Sequence, residues 1–247
     1  AVMAIAASCA PQTPGTPGTP APIDWSFKAT SMTSIDSQDE VRDPVFGLCV
    51  SIPNCDDEPY ILNVAFRVRI GQPGSAQAWV VTGSSLSDVS EGEGPIAMTG
   101  SQQAKVNFPG VKPLDVLDAL NPSNKLDIVG VYTWAVEEDT INSLSGGANA
   151  IADIFASVLN STLASGSLPD GDVNALLDML FDALFDNIGT PFNLIVSNIP
   201  CLGLCDDVLG GAVYVGIGAT GTLASVINSA LASFTIPNIN IPLVSVP

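Results

Sequence analysis

The sequence predicts a mainly β fold with an α insertion: an antiparallel β-sandwich or open barrel with a helical insertion and a C-terminal helix. Three observations predict it. Two long apolar runs, Pro59–Ile70 and Leu126–Val136, have the length and the β-branched and aromatic content of strands. The shorter strand-like runs around them are separated by Gly and Pro turn signals, which argues for antiparallel neighbours. Beyond about residue 142 the apolar period changes from that of a strand to that of a helix.

Taken in order, Ile23–Ile35 carries Trp25, Phe27, Ala29 and Met32 among polar residues and reads as a strand. Ser34–Asp57 is loop-like and acidic. In Pro59–Ile70 the residues Tyr60, Leu62, Val64, Phe66, Val68 and Ile70 share one face, with Asn63, Arg67 and Arg69 on the other. Gly71-Gln-Pro-Gly74 turns into a partner strand, Ala76–Val81. Gln103–Phe108 is a further short strand, and Leu126–Val136 is a long buried one ending at Glu137-Glu138-Asp139.

The helical part begins with Asn149–Leu163, which places Ile151, Ile154, Phe155, Val158, Leu159 and Leu163 on one face. Pro169-Asp-Gly-Asp172 introduces a second helix, Val173–Ile188, apolar on most sides. Its Asp178, Asp182 and Asp186 form one stripe, and like charges at this spacing repel, so the stripe is expected to face water or a cation. Ala212–Ile217 is a returning strand. Gly221-Thr222 then opens a third helix with Leu223, Val226, Ile227, Ala230, Leu231 and Phe234 on one face. Thr235–Pro247 alternates like a strand that its prolines confine to an edge. The expected organisation is a signal remnant and tether over residues 1–22, then one domain over 23–247. Within it lie a β part (23–141), the helical insertion (142–200), and a returning strand, helix and edge segment (201–247).

Composition narrows the chemistry. The chain has 247 residues, 25 Asp+Glu, 7 Lys+Arg and no His, for a net charge of -18. Without histidine there is no Ser-His-Asp or Cys-His nucleophile and no His-ligated metal or haem. The acidity argues against nucleic acid, whose phosphates need clustered Lys and Arg. All basic residues lie between Lys28 and Lys125, and twelve acids follow Lys125 with no cation among them. Those acids are solvated, bound to a cation, or brought to the first half's basic residues. A solvated face is the plainer reading.

The N-terminus indicates export. Ala1–Ser8 reads as the end of a signal peptide, too short to span a membrane, and Pro11–Pro22 is a Pro/Thr/Gly spacer. Ala6-Ala7-Ser8-Cys9 resembles the end of a bacterial lipoprotein signal, although that signal prefers Leu where this chain has Ala6. The resemblance implies lipid on Cys9 and membrane attachment only through the N-terminus. Cleavage by ordinary signal peptidase would instead leave a free secreted protein. Of the five cysteines, Cys49 with Cys55 and Cys201 with Cys205 bound short loops that local disulfides can close, leaving Cys9 over; crossed pairing between the loops is the alternative. The spacing does not fit twin zinc knuckles.

Gly216-Ile-Gly218-Ala-Thr-Gly221 matches the dinucleotide fingerprint, but no acid follows Asp207 to hold a ribose, so bends and close packing explain these glycines better. The acidic loops are the candidate site. If the first two strands pair, Asp36, Asp39, Asp56 and Asp57 converge at one end of the sandwich, where oxygen ligands suit Ca²⁺. Solvated loops are the plain alternative, and no other cofactor is expected. Carboxylate-pair hydrolysis needs two acids at a set separation in a cleft, which a sequence does not display. Wide apolar helix faces beside a sheet could hold an apolar ligand, or be ordinary core.

Asp57-Glu-Pro-Tyr60, Phe66-Arg-Val-Arg69 and Gly71-Gln-Pro-Gly-Ser75 resemble segments of uncharacterised exported proteins of actinobacteria. The resemblance implies export to the cell surface or beyond, and no activity. The expectation is a non-catalytic exported envelope protein that binds or scaffolds, partnered by an envelope component or another protein. A carrier of a lipid or other apolar ligand is the first alternative, and a secreted hydrolase using a carboxylate pair is the second.

Overall fold

A computed structural model describes residues 21–34, 58–87, 89–90, 92–119, 123–137, 144–166, 173–183 and 208–233. The strands are β1 (Ile23–Phe27), β2 (Ser31–Met32), β3 (Pro59–Arg69), β4 (Gln77–Thr82), β5 (Ile96–Ala97), β6 (Val106–Val111), β7 (Asp127–Glu137) and β8 (Val208–Ile217). The helices are α1 (Val116–Ala119), α2 (Leu144–Leu159), α3 (Val173–Phe181) and α4 (Gly221–Ser233). The fold is mainly β and its strand pairs are antiparallel, with α2 and α3 inserted between β7 and β8.

The main sheet has four strands in the order β4-β3-β7-β8. Its two central strands are the two long apolar runs, and both are buried almost throughout. One face takes the even-numbered residues of β3 (Tyr60, Leu62, Val64, Phe66, Val68) with Ile128, Tyr132, Trp134 and Val136 of β7. It packs against Ile151, Phe155 and Leu159 of α2, Leu176 and Leu180 of α3, and Ala224 and Ile227 of α4. Phe155 stands edge-on to the Tyr132 ring, centroid to centroid 4.6 Å. Burial there pushes the Tyr132 hydroxyl far above its ordinary range.

The other face is covered by two small ribbons, β1-β6 and β2-β5. Ala65, Val129, Val131 and Tyr214 pack against Phe27, Val106, Phe108 and Val111; Ile61 and Ala135 pack against Ala29, Met32, Leu86, Val89 and Met98. The sandwich thus has a continuous sheet as one layer and a broken one as the other. The helices form a third layer outside the continuous sheet.

Several elements differ from the sequence reading. The run Ile23–Ile35 is not one strand: β1 pairs with β6, and β2 with β5. The first strand therefore does not pair with β3, whose neighbours are β4 and β7. The strand expected at Gln103–Phe108 begins at Val106, because Gly100–Gln103 forms a 3-10 turn closed by Ala104 in the left-handed region (φ 43°). α2 starts at Leu144, ahead of the expected Asn149, since its first turn lacks the apolar spacing that marks the rest. It runs on into a π-type turn, Asn160–Ala164, whose Leu163 is fully buried as expected. Asp178 and Asp182 of the acidic stripe are exposed.

Candidate functional site

The glycine motif sits where its sequence position implied, at the corner between β8 and α4, and the geometry gives each glycine a packing role. A Cβ at Gly216 would lie 2.5 Å from the Trp25 ring. One at Gly218 would lie 3.0 Å from the Lys112 carbonyl oxygen and 3.1 Å from that of Asp127. Gly221 adopts φ +56°, and a Cβ there would meet an Asp115 carboxylate oxygen at 2.6 Å. The start of α4, where a dinucleotide phosphate would rest, is thus filled by the chain's own carboxylate. Asp115 Oδ1 accepts hydrogen bonds from the backbone N–H of Val116 at 2.8 Å and of Leu223 at 3.2 Å. The N–H groups of Val116, Leu223 and Thr222 hold the Asp115 carboxyl below its ordinary value of 3.8. An anion is stabilised here by unpaired helical N–H groups, the physics a phosphate would use.

The second polar centre surrounds Asp127, at the start of β7. Its side chain is 1% exposed. Register places Arg69 directly opposite it on β3, with Arg67 one step further along the same face. Arg69 Nε donates to Oδ1 at 3.0 Å and Arg67 Nη2 to Oδ2 at 2.8 Å. The Lys112 backbone N–H also donates to Oδ2, at 3.2 Å. Arg67 turns its remaining donors to the carbonyls of Pro109 (2.7 Å) and Gly110 (3.1 Å), locking β6 onto the sheet. A buried carboxylate satisfied by two arginines of one neighbouring strand and a backbone N–H is the arrangement that makes such burial tolerable. Of the three fates open to the acids after Lys125, Asp127 takes contact with the first half's cations, whereas Asp153 and Asp178 are solvated.

A third feature lies between these layers. Asn63 and Thr133 face each other across β3 and β7, and both are fully buried. Asn63 Nδ2 donates to the Ala104 carbonyl at 2.7 Å, which fixes the left-handed residue after the 3-10 turn. Asn63 Oδ1 and Thr133 Oγ1 make no hydrogen bond.

The calcium candidates Asp36, Asp39, Asp56 and Asp57 lie outside the described residues, as do Cys49, Cys55, Cys201, Cys205 and Cys9. Among the described residues, no group of three or more acidic or Cys side chains could hold a metal ion. Ile151, Phe155, Leu159, Leu176, Leu180 and Ile227 of the helices belong to the core on the sheet, whereas Val226, expected on the apolar face of the third helix, is exposed and Ala224 is buried in its place. No described helix is long and apolar enough to cross a membrane. Sequence reasoning missed both Asp115 and Asp127. For Asp127 a signal was present: a lone acid between Leu126 and Ile128 in a buried run, matched by two arginines at alternate positions of another. For Asp115 none was, because its partner Leu223 is 108 residues away. Compared with family models, curated proteins and solved structures, the chain has no match.

Proposed function

We propose that this chain is a non-catalytic exported cell-envelope protein: a rigid layered domain that binds or scaffolds an envelope component from the end of a Pro-rich tether. The observation that carries this reading is how the polar groups brought together inside the domain are spent. Asp127, Arg67 and the Asp115 carboxylate are engaged with one another or with backbone groups that tie β3, β6, β7 and α4 together. These are the contacts of a scaffold. A Pro/Thr/Gly composition over Pro11–Pro22 suits a spacer between such a domain and an anchor. The test is in-cell crosslinking of the full chain in its source, followed by identification of crosslinked partners. A reproducible envelope partner supports the reading. Stoichiometric lipid in organic extracts of the purified protein points to the carrier reading, and turnover in a screen of polysaccharides and esters points to the hydrolase.

Calcium at Asp36, Asp39, Asp56 and Asp57 belongs to the same proposal. Support comes from the flanks of the loop that carries them: Met32 and Ile61 pack in one core cluster, so its two ends start and finish close together. Extracellular modules commonly bind Ca²⁺ with Kd of about 10⁻⁴–10⁻³ M. A thermal melt at fixed ionic strength, with chelator and then with millimolar Ca²⁺, tests it. A shift specific to Ca²⁺ and abolished by Asp→Asn at two of these positions supports the site. An unmoved midpoint, or an equal shift with NaCl, removes it.

A further inference from the structure

β4 and β8 are the outer strands of the main sheet, and among the described residues each pairs on one side only. Free edges are usually blunted by charge, proline or a bulge. β8 is blunted: its register shifts opposite Ala135 and Val136, Gly210, Gly211 and Gly216 weaken it, and Asp206-Asp207 precede it in sequence. β4 is not. Of the described strands longer than two residues, it alone lacks charge, proline and glycine. Its register with β3 is unbroken, and the sequence carries no charge from Ile70 to Ser87. In an antiparallel pair, alternate residues turn both N–H and C=O toward the partner. The Gly83 N–H donates to the Ile61 carbonyl at 2.7 Å, one step beyond the Leu62–Thr82 pair, so Gln77, Trp79 and Val81 are the residues that bond to β3. Ala76, Ala78, Val80, Thr82 and Ser84 therefore point their backbone groups away from it. Both ends of this row are closed. Asn160, in the π-type turn after α2, accepts from the Ala76 N–H at 3.1 Å through Oδ1 and donates to the Ala76 carbonyl at 3.5 Å through Nδ2, as a neighbouring strand would. The Ser84 N–H donates to the Ser101 carbonyl at 3.4 Å. Between these caps, the outward groups of Ala78, Val80 and Thr82 have no partner among the described residues, and Trp79, Val80 and Val81 are only half-buried.

We propose that this open stretch of β4 pairs antiparallel with the same stretch of a second copy, joining two main sheets across a twofold axis at Val80. The pairing is self-complementary, as a twofold contact must be. It sets Val80 against Val80 of the other copy, Ala78 against Thr82, and Trp79 against Val81. The last is an aromatic beside a β-branched residue, a favourable cross-strand pair, and no like charges meet on the strands. The caps at Ala76 and Ser84 leave room for a strand of β4's own length, whereas a longer one would run into Asn160 or Ser101. So short a pairing engages far fewer than the roughly 20–30 residues a side of a stable interface, so the dimer is a weak one. α2, which packs on β4, carries a single charge, Asp153, and each copy has a net charge of -18, so the dimer tightens as salt screens the two copies.

Amide hydrogen exchange of the full chain, resolved residue by residue with NMR, tests the pairing alongside sedimentation equilibrium. Trp79 and Val81, whose N–H groups bond to β3, should exchange slowly at every concentration. Between about 10 µM and about 1 mM protein, exchange at Ala78, Val80 and Thr82 should slow severalfold while the mean mass rises from 25.3 kDa toward twice that value. Added NaCl should strengthen both changes. Val80→Pro removes the central outward N–H and spares the bonds to β3, so it should keep the chain monomeric at the highest concentration. If the proline variant does not fold, the exchange pattern of the unaltered chain decides by itself. Protection of Ala78, Val80 and Thr82 that does not vary with concentration would mean that another segment of the same chain occupies the edge. Rapid exchange there at all concentrations would mean that no strand does. Dimers that leave these three amides unprotected would place the interface elsewhere. Each of these results overturns the proposal.

Discussion

Replacing Asp127 with Asn keeps the volume of the side chain and removes its charge. In the folded protein this leaves Arg67, whose side chain is only 16% exposed, with two backbone carbonyls and no counter-charge. Arg69, at 40% exposure, can turn to water. Removing one partner of a buried pair costs about 3–5 kcal/mol. Because Arg67 keeps its carbonyl bonds, the low end applies, and Asp127→Asn should cost about 3 kcal/mol. Arg69→Gln breaks only a half-exposed contact and should cost under about 1 kcal/mol. The assay is urea unfolding at neutral pH, read as a change of midpoint at unchanged slope. Adding Arg67→Met to Asp127→Asn should recover part of the loss, since it removes the stranded charge; the coupling of such neighbours is about 0.5–3 kcal/mol. Asp178→Asn, on the exposed stripe, is the control and should change stability by no more than about 0.5 kcal/mol. A loss below about 1 kcal/mol for Asp127→Asn would refute the view that this pair is buried and structural.

Three further outcomes follow from other sites. The Asp115 carboxyl is held below its ordinary 3.8 in the folded state, so its contribution is complete above that pH and is lost as pH falls through the lowered value; amide hydrogen exchange in the first turn of α4 should quicken only in that acid range, and Asp115→Asn should remove the pH dependence. Gly216→Ala should destabilise by about 1–3 kcal/mol through overpacking against Trp25 and alter its fluorescence, whereas Gly74→Ala, whose Cβ meets nothing, should cost only the strain of its φ of +77° and leave that fluorescence unchanged. Non-reducing peptide mapping should recover Cys49–Cys55 and Cys201–Cys205 pairs; free thiols at all four positions would end the disulfide reading.

The parts of the fold that were legible in the sequence are those where one physical term dominates. β3 and β7 were readable because burial on both faces demands long uninterrupted apolar runs. α2 was readable because it packs one apolar stripe on the sheet, and α3 because its apolar run is broken at helical spacing by aspartates that stay exposed; the stripe read for α4 was right at Ile227 and wrong at exposed Val226. The ribbons were not. Ile23–Ile35 alternates well enough to look like one strand, yet Lys28–Thr30 separates two short pieces that pair with different partners, and local pattern does not encode partner choice. Ala104 in the left-handed region was invisible because it is held by a distant side chain, Asn63, with no glycine to mark it. The same limit applies to the polar centres. Asp115 and Asp127 are ordinary acids in the sequence, and only register and the crossing of chain segments make one a cap and the other a buried counter-ion.

The position of the helical insertion has a consequence for how the chain acquires its structure. By Glu137 the polypeptide already contains three of the four strands of the main sheet and every strand of the two ribbons. That portion can close one face, but its other face presents Tyr60, Leu62, Val64, Phe66, Ile128, Tyr132 and Trp134 with nothing yet synthesised to cover them. Cover arrives with α2 and α3, and β8 joins the edge of β7 only after a further seventy residues. Pairing at such separation is entropically slow. A fragment ending near residue 141 would therefore expose a greasy sheet with an open edge and should aggregate. A chain emerging N-terminus first must hold this sheet unfinished until β8 has appeared.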